Sequence, residues 1–103
     1  MSETAWVIDD IKRERERQKS TEDWTTEHDD CHARGQMARA AAACAYGSTI
    51  GSGSREHWFP ADMWPWDKKW WKLSTPRRDL VKAAALIVAE IERLDRIEAA
   101  KAV

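Results

Sequence analysis

The chain is 103 residues long and carries 17 Lys and Arg against 18 Asp and Glu, a formal net charge of −1. That length makes one domain, able to bury about two-thirds of its unfolded-chain surface, and the balanced charge speaks against a duplex-DNA binder, which normally carries a strong positive excess. No apolar run approaches membrane-spanning length, and the N-terminal residues hold acids in place of an apolar signal segment, so the expectation is a cytoplasmic protein with no membrane partner.

Valine, isoleucine, leucine and phenylalanine are scarce while alanine and tryptophan are abundant, which predicts a thin core of large rings set into alanine-lined helix faces. A homo-oligomer would support such a core. Charge is blocky: Lys12 to Lys19 is basic, Glu22 to Asp30 is acidic without a Lys or Arg, and Lys68 to Lys82 is basic again.

The first predicted helix runs from Thr4 to Lys19. Val7, Ile8 and Ile11 mark a packing face in its first half, and the alternating charges from Arg13 to Arg17 suit a solvated second half. Trp24 then leads into Thr25-Thr26-Glu27-His28-Asp29, where Thr26 and Asp29 resemble a capping box that starts a second helix. This helix, interrupted near Gly35, continues through the alanines to Tyr46, with Gly47 as its stop. Cys31 and Cys44 form no CxxC pair, which reads as two small buried thiols and neither a zinc ribbon nor a disulfide framework.

Gly47 to Ser54 reads as a flexible loop. Behind it stand Trp58, Trp64, Trp66, Trp70 and Trp71, spaced by no helix or strand period and broken by Pro60 and Pro65, which predicts an ordered loop. Either these rings plug an open side of the core, or they are platforms for a planar ligand. Ser74-Thr75-Pro76 supplies a cap and a proline for the first turn of a third helix. Leu80, Ala84, Ile87, Ile91 and Leu94 then form a heptad-like stripe, widened by Val81, Ala85 and Val88, that suits a core face or a helix-mediated dimer. The fold class is therefore all-α: a single domain of three main helices with a tryptophan-rich loop between the second and third.

The motifs Trp24-Thr25-x-Glu27-His28-Asp29-Asp30-x-His32, Trp64-Pro65-Trp66-Asp67-x-x-Trp70-Trp71-Lys72 and the run from Arg77-Arg78-Asp79 to Asp95-Arg96 resemble a family of small proteins encoded in phages and prophages. That resemblance spans most of the chain and implies a viral origin and a helical fold without an activity. The chain is also similar to the ryanodine-receptor repeat domain at Trp24, Pro65-Trp66 and Arg78-Asp79, although Asp23 stands where that module usually has glycine and Trp66 where it has tyrosine. The second likeness implies a nucleotide-derived ligand of the cyclic or ADP-ribose type. With a phage origin it implies sequestration of a signal used in host antiviral defence.

Three chemistries compete for these residues. In the first, Trp24, Trp64, Trp66, Trp70 and Trp71 stack on a small anionic ligand while Lys69, Lys72, Arg77 and Arg78 hold its phosphate at the start of the third helix. In the second, His28 and His32 share a helix face at the spacing zinc sites use, Glu27 and Asp30 could hold magnesium, and His57 could add a ligand from the loop. Glu27-x-x-Asp30 matches half of the carboxylate set of an all-α nucleotide pyrophosphohydrolase, but no ExxE pair precedes it. In the third, the exposed Trp and Arg side chains occupy the surface of a host protein. The expectation is ligand binding without catalysis, cofactor or metal.

Overall fold

The computed structural model describes residues 2–22, 25–51, 54 and 58–102; Trp24 and His57 lie outside the described residues. Among the described residues the chain is helical without strands: α1 (Glu3–Ser20), α2 (Thr26–Asp30), α3 (Gln36–Gly47) and α4 (Pro76–Lys101), with a single 3-10 turn at Lys68–Trp70. The all-α class and the ordered tryptophan loop before the last helix are as the sequence predicts.

The helix starts follow their local chemistry. Ser2 caps α1, its Oγ accepting from the Ala5 N–H. The cap of α2 is Thr25, one residue before the predicted Thr26: its Oγ1 accepts from the His28 N–H at 3.3 Å. Asp29, expected to complete the capping box, is fully buried and turned instead to Arg15. The predicted interruption is real, because Gly35 adopts φ 80° in the left-handed region that glycine enters without steric cost, and α3 starts from it. Thr75 caps α4 as expected, accepting from the Arg78 N–H at 3.1 Å ahead of Pro76, and Asp79 reaches back to the Ser74 N–H at 2.9 Å.

The core lies between α3 and α4. Met37, Ala40, Ala41 and Cys44 meet Ala83, Leu86 and Ala89, with Trp64, Trp66 and Trp71 packed on its open side. Small side chains on both helices permit the close approach, and the rings supply the apolar area that alanines lack. Gly47 is the last residue of α3 and does not adopt the left-handed conformation expected of a glycine stop; its lack of a side chain serves packing, since a Cβ there would meet Leu73 Cδ2 at 2.8 Å and Trp58 Cζ3 at 3.2 Å.

Two predicted faces are turned the other way. On α1 the first half was expected to pack and the second to be wet; Trp6, Val7 and Ile8 are exposed, whereas Glu14, Arg15 and Gln18 are buried. The burial is sustained because these charges meet partners on other helices. Arg15 Nη2 donates to Asp29 at 2.5 Å and its Nε to Glu92 at 3.0 Å, and Glu14 accepts from Arg17 and Arg78. On α4 the stripe of Leu80, Ile87, Ile91 and Leu94 faces outward, about half-exposed, while Val81, Ala85, Leu86 and Ala89 are buried. The alanine face of α3 selects small partners, and the bulky stripe is left outside. Of the two thiols, Cys44 is buried and Cys31 is exposed, against the expectation that both are buried.

Candidate functional site

The tryptophan loop is built from its own backbone. Asp67 caps the 3-10 turn by accepting from the Lys69 N–H at 2.9 Å, and its carbonyl accepts from Trp64 Nε1 at 3.1 Å. Trp71 Nε1 donates to the Trp58 carbonyl at 3.1 Å, tying the two ends of the loop together. Ring contacts then run in a continuous chain: Tyr46 to Trp58 at 5.6 Å, Trp58 to Trp71 at 5.7 Å, Trp71 to Trp64 at 4.9 Å, Trp64 to Trp66 at 5.2 Å, Trp66 to His32 at 5.3 Å. Most of these contacts are tilted or edge-on, the geometry that aromatic quadrupoles favour. The sequence left plug and platform as alternatives; the same rings that close the core also form the wall of a cavity.

That cavity has a volume of about 640 Å³, within the range of small-molecule sites. Trp64, Trp66, Trp70, Trp71 and Lys72 line it, as do His28 and His32. Lys69 is not on its wall; its ammonium sits over the Trp70 ring at 5.3 Å, as that of its neighbour Lys68 sits over Phe59 at 5.2 Å. Arg77 and Arg78, expected to hold phosphate beside the tryptophans, lie at a separate shallow depression and already have carboxylate partners. Arg77 donates to Asp10 at 2.7 Å, and Arg78 to Glu14. The structure thus separates the ring half of the predicted site from the arginine half, with Glu14 and Arg17 lining both.

The opposite wall comes from the second half of α1. Glu14, Arg17, Gln18 and the following Glu22 face the tryptophans, and Lys82 of α4 closes one side with its Nζ donating to the Lys72 carbonyl at 3.0 Å. Sequence reasoning missed these residues by treating the charged half of α1 as solvated. Ile11, Glu14 and Gln18 share one helical spacing with Val7, but Val7 is exposed, so no apolar pattern marked the buried part of that face. Burial alone would push the Glu14 carboxyl up, yet hydrogen bonds from Arg17 and Arg78 outweigh it and hold the group below its ordinary value. Gln18 is only 2% exposed; its Nε2 faces Glu14 at 3.4 Å, and its Oε1 is buried without a partner.

The acidic segment is divided. His28 Nδ1 faces Asp29 Oδ1 at 3.3 Å, and His28 Nε2 faces His32 Nε2 at 3.3 Å on the cavity wall. In the tautomer whose Nδ1–H donates to the Asp29 carboxylate, His28 Nε2 is an acceptor facing His32. Burial lowers the His32 pKa, and the charge of His28 adds to the effect against the opposing pull of Asp29. Asp30 is instead taken by Arg96 at 2.7 Å, and Glu27 is exposed. Among the described residues no group of three or more His, Cys, Asp or Glu side chains is arranged to hold a metal ion.

No protein-family model matches the chain, and no curated protein or solved structure matches it either. No helix among the described residues is long and apolar enough to cross a membrane.

Proposed function

We propose that the chain binds a small planar anion of nucleotide type in the tryptophan-walled cavity, without chemistry on it. The observation that carries this reading is the convergence of Trp64, Trp66, Trp70 and Trp71 with Lys72 and Lys82 on one cavity of about 640 Å³, where the third cation, Arg17, is already bonded to Glu14 and Glu22. Indole faces take up a heterocycle at about 1–3 kcal/mol per stacked base, and the cations offset the phosphate charge. The test is calorimetry and tryptophan fluorescence with cyclic dinucleotides, ADP-ribose-type nucleotides and mononucleotides. Binding by at least one, weakened by Trp66→Ala and by Lys72→Ala, is expected. Absence of heat with every nucleotide overturns the reading and leaves a protein-binding surface in its place.

A second reading, metal-dependent hydrolysis of the same ligand, is favoured by the His28 and His32 Nε2 atoms meeting at 3.3 Å on that wall. This is the separation of two ligands across one edge of a tetrahedral site whose bonds are about 2.0–2.1 Å. Hydrolysis of a nucleotide in the presence of magnesium, manganese or zinc, abolished by His28→Ala and by His32→Ala alike, would establish this second reading over simple binding.

A further inference from the structure

The α4 helix carries its largest apolar side chains on the side facing away from the core. Leu80, Ile87, Ile91, Leu94 and Ile97 are 40% to 51% exposed, and Leu80, Ala84, Ile87, Ile91 and Leu94 follow the alternating four- and three-residue steps of a coiled-coil seam. An ordinary surface helix keeps such a stripe inward. Here the inward side is already filled by Val81, Ala85, Leu86 and Ala89 against the alanines of α3. Trp6, Val7 and Ile8 add further exposed area on α1, which is joined to the start of α4 by the Arg77–Asp10 ion pair.

We propose that this seam is the interface of a homodimer in which two α4 helices pack antiparallel. Three features select a second copy as the occupant. The spacing is that of knobs entering the holes of another helix, and the seam of one copy supplies both. Five large apolar side chains, each 40% to 51% exposed, lie together on one helix and are not scattered singly, and contiguous apolar patches of this kind mark protein–protein interaction sites. Helix dipoles then set the direction, since antiparallel packing opposes them and a parallel pair aligns them, whereas the charges of Arg77, Arg78 and Glu92 are already met within the chain by Asp10, Glu14 and Arg15.

In the register that sets Ile87 against Ile91 of the other copy, Ala84 meets Leu94, and Leu80 lies beside Glu98. The cavity is lined by none of these residues, so dimerisation and ligand binding are separable. Sedimentation equilibrium over micromolar to millimolar loading should give twice the mass of one chain. Ile87→Glu and Ile91→Glu, both at half-exposed positions that leave the core intact, should each give monomers of unchanged helicity. A wild-type chain that stays monomeric throughout, or dimers that survive both substitutions, overturns the proposal. Orientation is read by mixing Leu80→Cys chains with Glu98→Cys chains, each also carrying Cys31→Ser, under mild oxidation. Cross-links between the two kinds of chain are expected; cross-links confined to Leu80→Cys pairs overturn the antiparallel arrangement.

Discussion

Arg15 of α1 and Asp29 of α2 form a buried ion pair at 2.5 Å, the arginine 4% exposed and the aspartate not at all. Arg15 reaches Glu92 of α4 with its Nε as well, so one guanidinium joins three helices. An ion pair of this kind is sensitive to the loss of either member, because the survivor keeps its desolvation penalty without its partner. Asp29→Ala should cost about 3–5 kcal/mol and Arg15→Ala a similar amount, while the double substitution should cost clearly less than their sum. Denaturant melts of the four proteins in that cycle measure this, and strict additivity would show the pair to be uncoupled.

Arg77 and Arg78 are neighbours with different environments. The Arg77 pair with Asp10 is open to solvent, so Arg77→Ala should change stability by at most about 1 kcal/mol. Arg78 is bonded to a carboxylate on Glu14 that is almost wholly buried, and Arg78→Ala should cost about 1–3 kcal/mol. Equal losses in the two variants would contradict this division. Neither change should weaken nucleotide binding directly, since neither side chain lines the tryptophan cavity.

The rings divide in the same manner. Trp71 touches Trp58, Phe59 and Trp64 and packs on the core, whereas Trp70 is 59% exposed. Trp71→Ala should lower stability by about 3 kcal/mol, and Trp70→Ala should stay within about 0.5 kcal/mol of the parent. Thermal melts distinguish them. A ligand that stacks on Trp70 would lose affinity in the second variant with no loss of fold.

His32 predicts a pH dependence. Its folded-state pKa is lowered, mainly by burial, so the neutral ring is the folded form and the unfolded chain binds the proton first. Its contribution is present above the ordinary value of 6.5 and is lost as pH falls from there to the folded-state pKa. His32→Gln should flatten the stability profile in that window. An unchanged profile would mean that the ring is not desolvated.

A thiol probe reports on the cavity floor. Burial pushes the Cys44 thiol up to about 11, while Cys31 is exposed. Iodoacetamide at mildly alkaline pH should modify Cys31 in the folded protein and Cys44 only after denaturation. Equal labelling of both in the native state would show α3 to be open where it meets α4.

Where backbone chemistry decides, the sequence was legible. The Thr75-Pro76 start of α4, the break at Gly35 and the ordered loop set by Pro60 and Pro65 each depend on neighbours a few residues away. The direction of each helix face was not legible, because periodicity marks an apolar stripe without saying what it meets. Ile87 and Ile91 have core spacing, yet the alanines of α3 leave room only for the smaller side of α4. Glu14 and Arg15 looked solvated since their partners Arg78, Asp29 and Glu92 are far along the chain, and Gln18 followed them because its own contact is to Glu14. The cavity inherits both effects: its tryptophans were visible as a cluster, and its α1 wall was hidden among charges.

Glu14 accepts from Arg17 and Arg78 and is approached by Gln18 Nε2, so the buried side of α1 is a set of residues bonded to one another. Such a set constrains how the sequence can drift. An alanine–leucine contact can change one member at a time and lose only packing, whereas replacing Glu14 alone removes the partner of Arg78 and one of the two carboxylates on Arg17, and replacing Arg78 alone leaves a buried carboxylate to Arg17 only. Related sequences should therefore change these positions together or not at all, as covarying groups that exchange a charged set for an apolar one in concerted steps. The exposed seam of α4, with no such bonds to keep, is free to vary residue by residue so long as it stays apolar.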